Sequence, residues 1–286
     1  MKLSKEVLQK IKQIEIQTRR LLSGTQIGDY SSAQKGTGLE FDQIREYQMG
    51  DDVRFIDWNS SARSNKILVK QYIEERNRTI MLLVDQSAST FYGSGDYLKS
   101  EIIAQVVSVL ALVADCGKDH IGALFFRDEV TRVIPPKRGL KHVHAIMESA
   151  FAQKVGGTTS LKQALERLSS VQKKDAIVFI LSDFFDTGYE KLLKIVARQH
   201  DVIAVRCLDE REEVLPECGF LPVRDSETGQ EGMVQTNSKV VNNFLQEHKK
   251  NTVSTLRRCG VELLDIHVDR PFVGDIIRFF RRRMMY

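Results

Sequence analysis

Apolar residues crowd into nearly unbroken runs from residue 79 onward: "TIMLLVD" (79–85), "AIVFILSD" (176–183), "DVIAVRCLD" (201–209) and "GVELLDIHVD" (260–269). Runs with so little polar alternation suit strands covered on both faces, as in a parallel sheet. The stretches at 97–115, 160–171, 188–199 and 238–259 instead carry apolar positions at helical spacing. "HIGALFFRDEVTRVIPP" predicts a hairpin, with strands over 120–126 and 130–134 around a turn at 127–129. Strand and helix alternating over 79–269 predict an α/β domain with a doubly wound, mostly parallel, Rossmann-like sheet. A small hairpin is expected as an insertion around 218–236, where "DSETGQEG" separates "FLPVR" from "MVQT".

Ahead of Thr79 the pattern changes. Val7, Leu8, Ile11, Ile14, Leu21 and Leu22 share one helical stripe over 4–22, with Ser4 in N-cap position and Gly24 past its end. "SGTQIGDYSSAQKGTG" is rich in Gly and Ser and predicts a loop. Residues 39–77 alternate only in part and hold Trp58, the sole tryptophan, so short strands and turns are expected. The predicted organisation is an N-terminal extension, 1–77, of a helix and short strands, followed by the α/β domain, 78–286. Arg45, Asp51, Asp52, Arg54, Asp57 and Arg63 are expected to form an ion-pair network tying the extension to that domain, with a partner-recognition face as the alternative. Trp58 is expected in a core.

Composition narrows the function classes. The chain has 286 residues, 42% of them hydrophobic, enough for a full core in one large domain. A formal net charge of +4 is too mild to imply nucleic acid, and no recognised nucleic-acid module is present. The basic C-terminal run "IRFFRRRMMY" reads as a solvated helix face or a partner-docking edge. Cys116, Cys207, Cys218 and Cys259 lie far apart without metal-site spacing, and read as reduced core thiols. The N-terminus has no apolar leader core and no stretch reaches ~18 apolar residues, so the expectation is a cytoplasmic protein without membrane insertion. His142 and His144, at i and i+2, face different sides of a helix and do not share a metal.

Candidate chemistry sits at the strand ends. In an open parallel sheet, ligands bind outside the carboxyl ends of the strands. Asp85 closes the first strand of the domain, and Ser87 and Ser89 follow in the next loop. "KVGGTTSLKQAL" (154–165) places Thr158 and Thr159 after two glycines and just before a helix; register does not separate the adjacent threonines. Asp183 ends the run "FILSD". Carboxylates and hydroxyls are hard oxygen donors, suited to Mg²⁺, with Mn²⁺ or Ca²⁺ as alternatives, rather than zinc or copper. Taken singly, each of these residues could instead cap a helix or turn. Asp186 is expected to be the N-cap of the helix that follows it.

"DQSAS" (85–89), "GGTTS" (156–160) and "SD" (182–183) resemble the metal-ion-dependent adhesion site of von Willebrand factor A-type domains. That resemblance implies a von Willebrand factor A-like fold with Asp85, Ser87, Ser89, Thr158 and Asp183 as the metal residues. The hydroxyls would coordinate directly and the aspartates partly through water, and a partner's Glu or Asp would complete the shell. "GLEFDQIREYQMGDDVRFIDWNSSARSNKILVKQYIEER", with the "DSETGQ" hairpin and "IIRFFRRR", is similar to the signature of a bacterial family of unknown function that carries such a domain. Its members commonly accompany MoxR-type AAA+ ATPases, which implies that kind of partner. The expected function is therefore a non-enzymatic protein–protein interaction module. The alternative is a metal-dependent hydrolase, such as a phosphoesterase, using the same carboxylates. Ser87 stands where a phosphoaspartate-type phosphatase would want its second acid, and no P-loop or Gly-x-Ser-x-Gly elbow is present.

Overall fold

The computed structural model describes residues 12–14, 38–64, 66–75, 78–152, 156–213, 215, 218–236 and 239–284. Residues 31–77 form one unit, and residues 78–286 belong to the other. Except for 12–14, which are helical, and Gly38, which begins a strand, the N-terminal stripe and the Gly/Ser-rich stretch lie outside the described residues.

In the larger unit, β3 (Thr79–Asp85) is the centre of construction. Met81, Leu82, Leu83 and Val84 are all completely shielded from water. They alternate between two cores because successive side chains of a strand point to opposite faces. Leu82 and Val84 join α2 (Lys99–Cys116), α3 (Leu140–Phe151) and α8 (Val273–Met284), with Ile14 packed against the same cluster. Met81 and Leu83 join α4 (Leu161–Val171), α5 (Glu190–Gln199) and the end of α7 (Lys239–Arg258). At ~1.5–3 kcal/mol per buried large apolar side chain, this two-sided packing is what makes an unbroken apolar run favourable.

The strands are β3, β4 (His120–Phe126), β5 (Val130–Lys137), β6 (Ile177–Ser182), β7 (Asp201–Leu208) and β10 (Glu262–His267), in the spatial order β10-β7-β6-β3-β4-β5. Every neighbouring pair is parallel except β4–β5. This is the expected doubly wound, mostly parallel α/β sheet, with its order reversing beside β3. Pro135 and Pro136 fall in β5, an edge strand, where a missing N–H breaks no interior ladder. The short hairpin β8 (Phe220–Arg224) and β9 (Glu231–Gln235) is the expected insertion.

α3 and α8 stand outside the four predicted helical stretches. The basic run at the C-terminus is the polar side of α8, whose Ile276 and Phe279 are buried, while Arg283 pairs with Asp201 at 2.7 Å. No disulfide joins the four cysteines, but only Cys207 and Cys259 are buried; Cys116 and Cys218 are exposed.

The smaller unit pairs β1 (Gly38–Glu46) antiparallel with β2 (Leu68–Glu75), and α1 (Trp58–Ser64) lies between them in sequence. Its charged residues satisfy one another locally. Both Arg45 guanidinium amines donate to Asp51 at 2.7 Å, Arg54 pairs with Asp52, and Asp57 accepts from Ser60 at the start of α1. These bonds lie within the hairpin unit. Trp58 is 68% exposed, contrary to the expectation of a core position.

Candidate functional site

β3 and β6 are parallel neighbours, so their carboxyl ends bring Asp85 and Ser182 together. Asp85 is fully buried. Its Oδ2 accepts from the Ser182 hydroxyl at 2.6 Å, and its Oδ1 accepts from the Ser87 backbone N–H at 2.9 Å. Burial, with the nearby Asp183 charge second, pushes the Asp85 carboxyl up to about 7 against the opposing effect of these hydrogen bonds. A buried carboxyl in that state lacks a full counter-charge.

The loop after Asp85 turns back on itself. Ser87 is buried and its Oγ lies 3.0 Å from Ser89 Oγ. Ser87 begins the short 3₁₀ turn Ala88–Phe91, yet its side chain makes no capping bond there. The capping alternative therefore does not account for it, and its hydroxyl remains with the Asp85 cluster.

The glycine–threonine loop is docked against this turn through its backbone. Ala88 N–H donates to Gly157 O at 3.1 Å, and Gly156 N–H to Gln86 O at 3.4 Å. Gly157 holds φ +82, and a Cβ there would stand 3.3 Å from Asp128 Oδ1, so glycine permits both the turn and the approach. Thr158 is exposed, and among the described residues no hydrogen bond joins its hydroxyl to the other four candidates. Thr159 donates its hydroxyl to Glu227 Oε1 at 2.5 Å, a residue of the β8–β9 turn. Asp186 does not cap the helix after it. Its Oδ2 accepts from Leu161 N–H at 2.7 Å, the first residue of α4, tying the Asp183 loop to the threonine loop.

Asp183 faces a partner that sequence reasoning missed. Lys99, the first residue of α2, is completely buried, with Nζ 3.0 Å from Asp183 Oδ2 and 2.8 Å from Glu212 Oε1. Glu212 belongs to the short helix α6 (Glu210–Glu213) after β7. Burial works against the ammonium, but Asp183 and Glu212 outweigh it and hold Lys99 charged. The rings of Tyr92 and Phe185 stand 5.9 and 6.0 Å from Nζ. Directly after Asp183, Phe184 takes φ +60, a conformation that non-glycine residues adopt at a cost of about 1–3 kcal/mol. Ser182 was within sight in the quoted "SD" pair; Lys99 and Glu212 carried no sequence signal.

Asp85, Ser87, Ser89 and Ser182 thus form one oxygen-rich cluster of short contacts. Asp183 borders it, its Oδ2 shared with an ammonium, and the threonine loop is docked alongside. The donor set is all oxygen and its central carboxyl is under-compensated, which fits a hard divalent cation. Among the described residues no cluster of three or more His, Cys, Asp or Glu side chains forms a metal site, and this group with its two aspartates is not of that kind. No helix among the described residues is long and apolar enough to cross a membrane.

Comparison with known proteins adds a family. Residues 43–254 match the model of a family described as "Protein of unknown function DUF58". An uncharacterised protein of Mycobacterium tuberculosis is 28% identical over 280 residues, spanning 96% of this chain and 88% of that protein. Among solved structures, the conserved hypothetical protein BatB from Bacteroides thetaiotaomicron is 14% identical with a TM-score of 0.43, covering 73% of this chain and 98% of that one. The VWA domain of SpRpn10 is 10% identical with a TM-score of 0.40, covering 71% and 95%.

Proposed function

The chain belongs to the DUF58 family of proteins of unknown function, and from that premise we propose that it is a non-enzymatic protein–protein interaction module. It grips an acidic residue of a partner through a divalent cation, Mg²⁺ first and Mn²⁺ or Ca²⁺ as alternatives. Asp85, Ser87 and Ser89 hold the ion, with Thr158 or Thr159 and Asp183 completing the protein's share. When bound, the ion supplies an open coordination position that attracts a carboxylate. The observation that carries this reading is the Asp85 carboxyl: fully buried, next to a second aspartate, and surrounded by hydroxyls that soften its charge without cancelling it. Two aspartates offset a divalent ion without surplus negative charge, so an incoming acid is not repelled. The family resemblance supports a MoxR-type AAA+ ATPase as the partner.

A metal-dependent hydrolase remains the second reading, favoured by the same carboxyl: a group titrating near neutrality is poised for acid–base work. Thermal unfolding with and without Mg²⁺ or Mn²⁺ tests the binding site. At a hundredfold excess over Kd the ion adds roughly 2.7 kcal/mol, a rise of about 5–10 °C for a domain this size. Asp85→Ala is expected to abolish the rise; a variant that keeps it removes Asp85 from the site. Affinity capture with and without chelator tests the adhesion mechanism, which fails if the captured proteins are the same. Turnover of a generic phosphoester, lost in Asp85→Asn, would replace this reading with the hydrolase.

A further inference from the structure

The β8–β9 hairpin does more than decorate the sheet. Its turn is built to hold one side chain out. Asp225 accepts from the backbone N–H groups of Glu227 and Thr228 at 2.8 and 2.7 Å, Asp225 N–H donates to Gln230 O at 2.8 Å, and Gly229 closes the turn at φ +73. A turn locked in this way presents Glu227 at small entropic cost. Glu227 is half-buried, and its Oε1 takes the Thr159 hydroxyl at 2.5 Å, across 68 residues of sequence.

That contact adds a carboxylate beside loops that already hold others. The threonine loop is docked on the turn that follows buried Asp85, and Asp128 already stands against Gly157 on the same loop. Lys99, the ammonium beside Asp183, is committed to Asp183 and Glu212. Arg127 lies 3.9 Å from Asp128 and offsets part of this charge, and a cation shared among the loops would favour bringing a further carboxylate to them. A carboxylate accepts at both oxygens, so one can hold Thr159 while the other turns to an ion.

We propose that Glu227 is the site's internal occupant: a carboxylate carried on the hairpin that takes the ion's open position until a partner's acid displaces it. The inference rests on the adhesion reading above and adds its regulation. In this state the hairpin is a clasp closed over the site. A partner succeeds only if its own acid, with whatever surface surrounds it, outcompetes a carboxylate already held in place.

The metal alone is the probe. Hydrogen exchange across residues 218–236 is measured on the full chain with and without Mn²⁺, in wild type, Glu227→Gln and Asp85→Ala, with Mn²⁺ binding followed separately by calorimetry. Metal-free melting temperatures confirm that each variant is folded, and Glu227→Ala serves as the second substitution at a half-exposed position. The expected result is that Mn²⁺ slows exchange of the hairpin several-fold in wild type. Glu227→Gln and Glu227→Ala still bind Mn²⁺ but lose that protection. If Mn²⁺ binds through Asp85 while hairpin exchange stays unchanged, or stays protected without Glu227, the clasp is overturned and the adhesion site stands. If Mn²⁺ binds wild type no better than Asp85→Ala, the adhesion site and the clasp both fall.

Discussion

Asp85 holds its carboxyl where water does not reach, and a pH signature follows. Unfolded, such a group releases its proton near pH 4; folded, burial and then Asp183 push it up to about 7. Between these values the folded chain binds more protons than the unfolded one, so stability falls as pH rises and the fall levels off above about 7. The contribution is at most about 4 kcal/mol. Asp85→Asn should remove it from the metal-free protein, because Ser182's hydroxyl can turn to accept from an amide while the Ser87 N–H keeps an oxygen. Denaturant unfolding at pH 5 and pH 8 checks this: wild type should lose stability relative to the variant at the higher pH, and parallel behaviour would show that Asp85 is ionised like a surface carboxylate. That Asp85, Ser87 and Ser89 lie together at the end of β3 was legible because their motif is local and the strand before them is unmistakable. Lys99 was not, since a lysine opening an amphipathic helix ordinarily reaches water; its burial is created by Asp183 and Glu212, 84 and 113 residues away. Asp186 misled for the same reason, capping a helix that starts 25 residues before it.

At the scale of elements, the predicted strands and helices fall within a few residues of those observed, because apolar runs and helical periodicity are physical requirements of two-sided burial. The β4–β5 hairpin extends further than its apolar pattern indicated, through Lys137. A register irregularity lies at Gly122, where an added Cβ would stand 2.7 Å from Met81 Sδ, 2.8 Å from Ile134 O and 2.9 Å from Pro136 N. Two of those neighbours are backbone atoms that a central sheet does not release cheaply. Gly122→Ala is therefore expected to lower stability by ~1–3 kcal/mol, seen as a lower melting temperature, and a neutral result would mean the β5 edge yields freely. Between β7 and β10, Arg206 and Asp265 are register partners and also ion-paired at 2.8 Å, which fixes the alignment of the far edge strand. The exposure of Trp58 was illegible for a different reason: a short hairpin does not encode in its own pattern how much of its surface gets covered.

Across the whole molecule, the two units differ in what holds them. The sheet of residues 78–286 is packed on both faces by helices and buries every residue of β3 after Thr79. The 31–77 unit pairs two strands and, among its residues with described side chains, buries only Val69. Local opening follows such differences in buried apolar surface. Native-state hydrogen exchange is expected to be slowest in β3 and β6 and orders of magnitude faster in β1 and β2; uniform protection would mean that the two units open as one.

β3 stands mid-sheet between strands that come later in the chain, and this orders events in time during synthesis. A nascent polypeptide whose emerged portion ends with β5 already carries Asp85 and both loop serines, but the Ser182 and Asp183 that frame them are still to be translated. Lys99 would meanwhile lack both of its acids, and the turn bearing Glu227 emerges later still. Until that turn has been made, the residues that the proposed site and its clasp require are not all present on the chain.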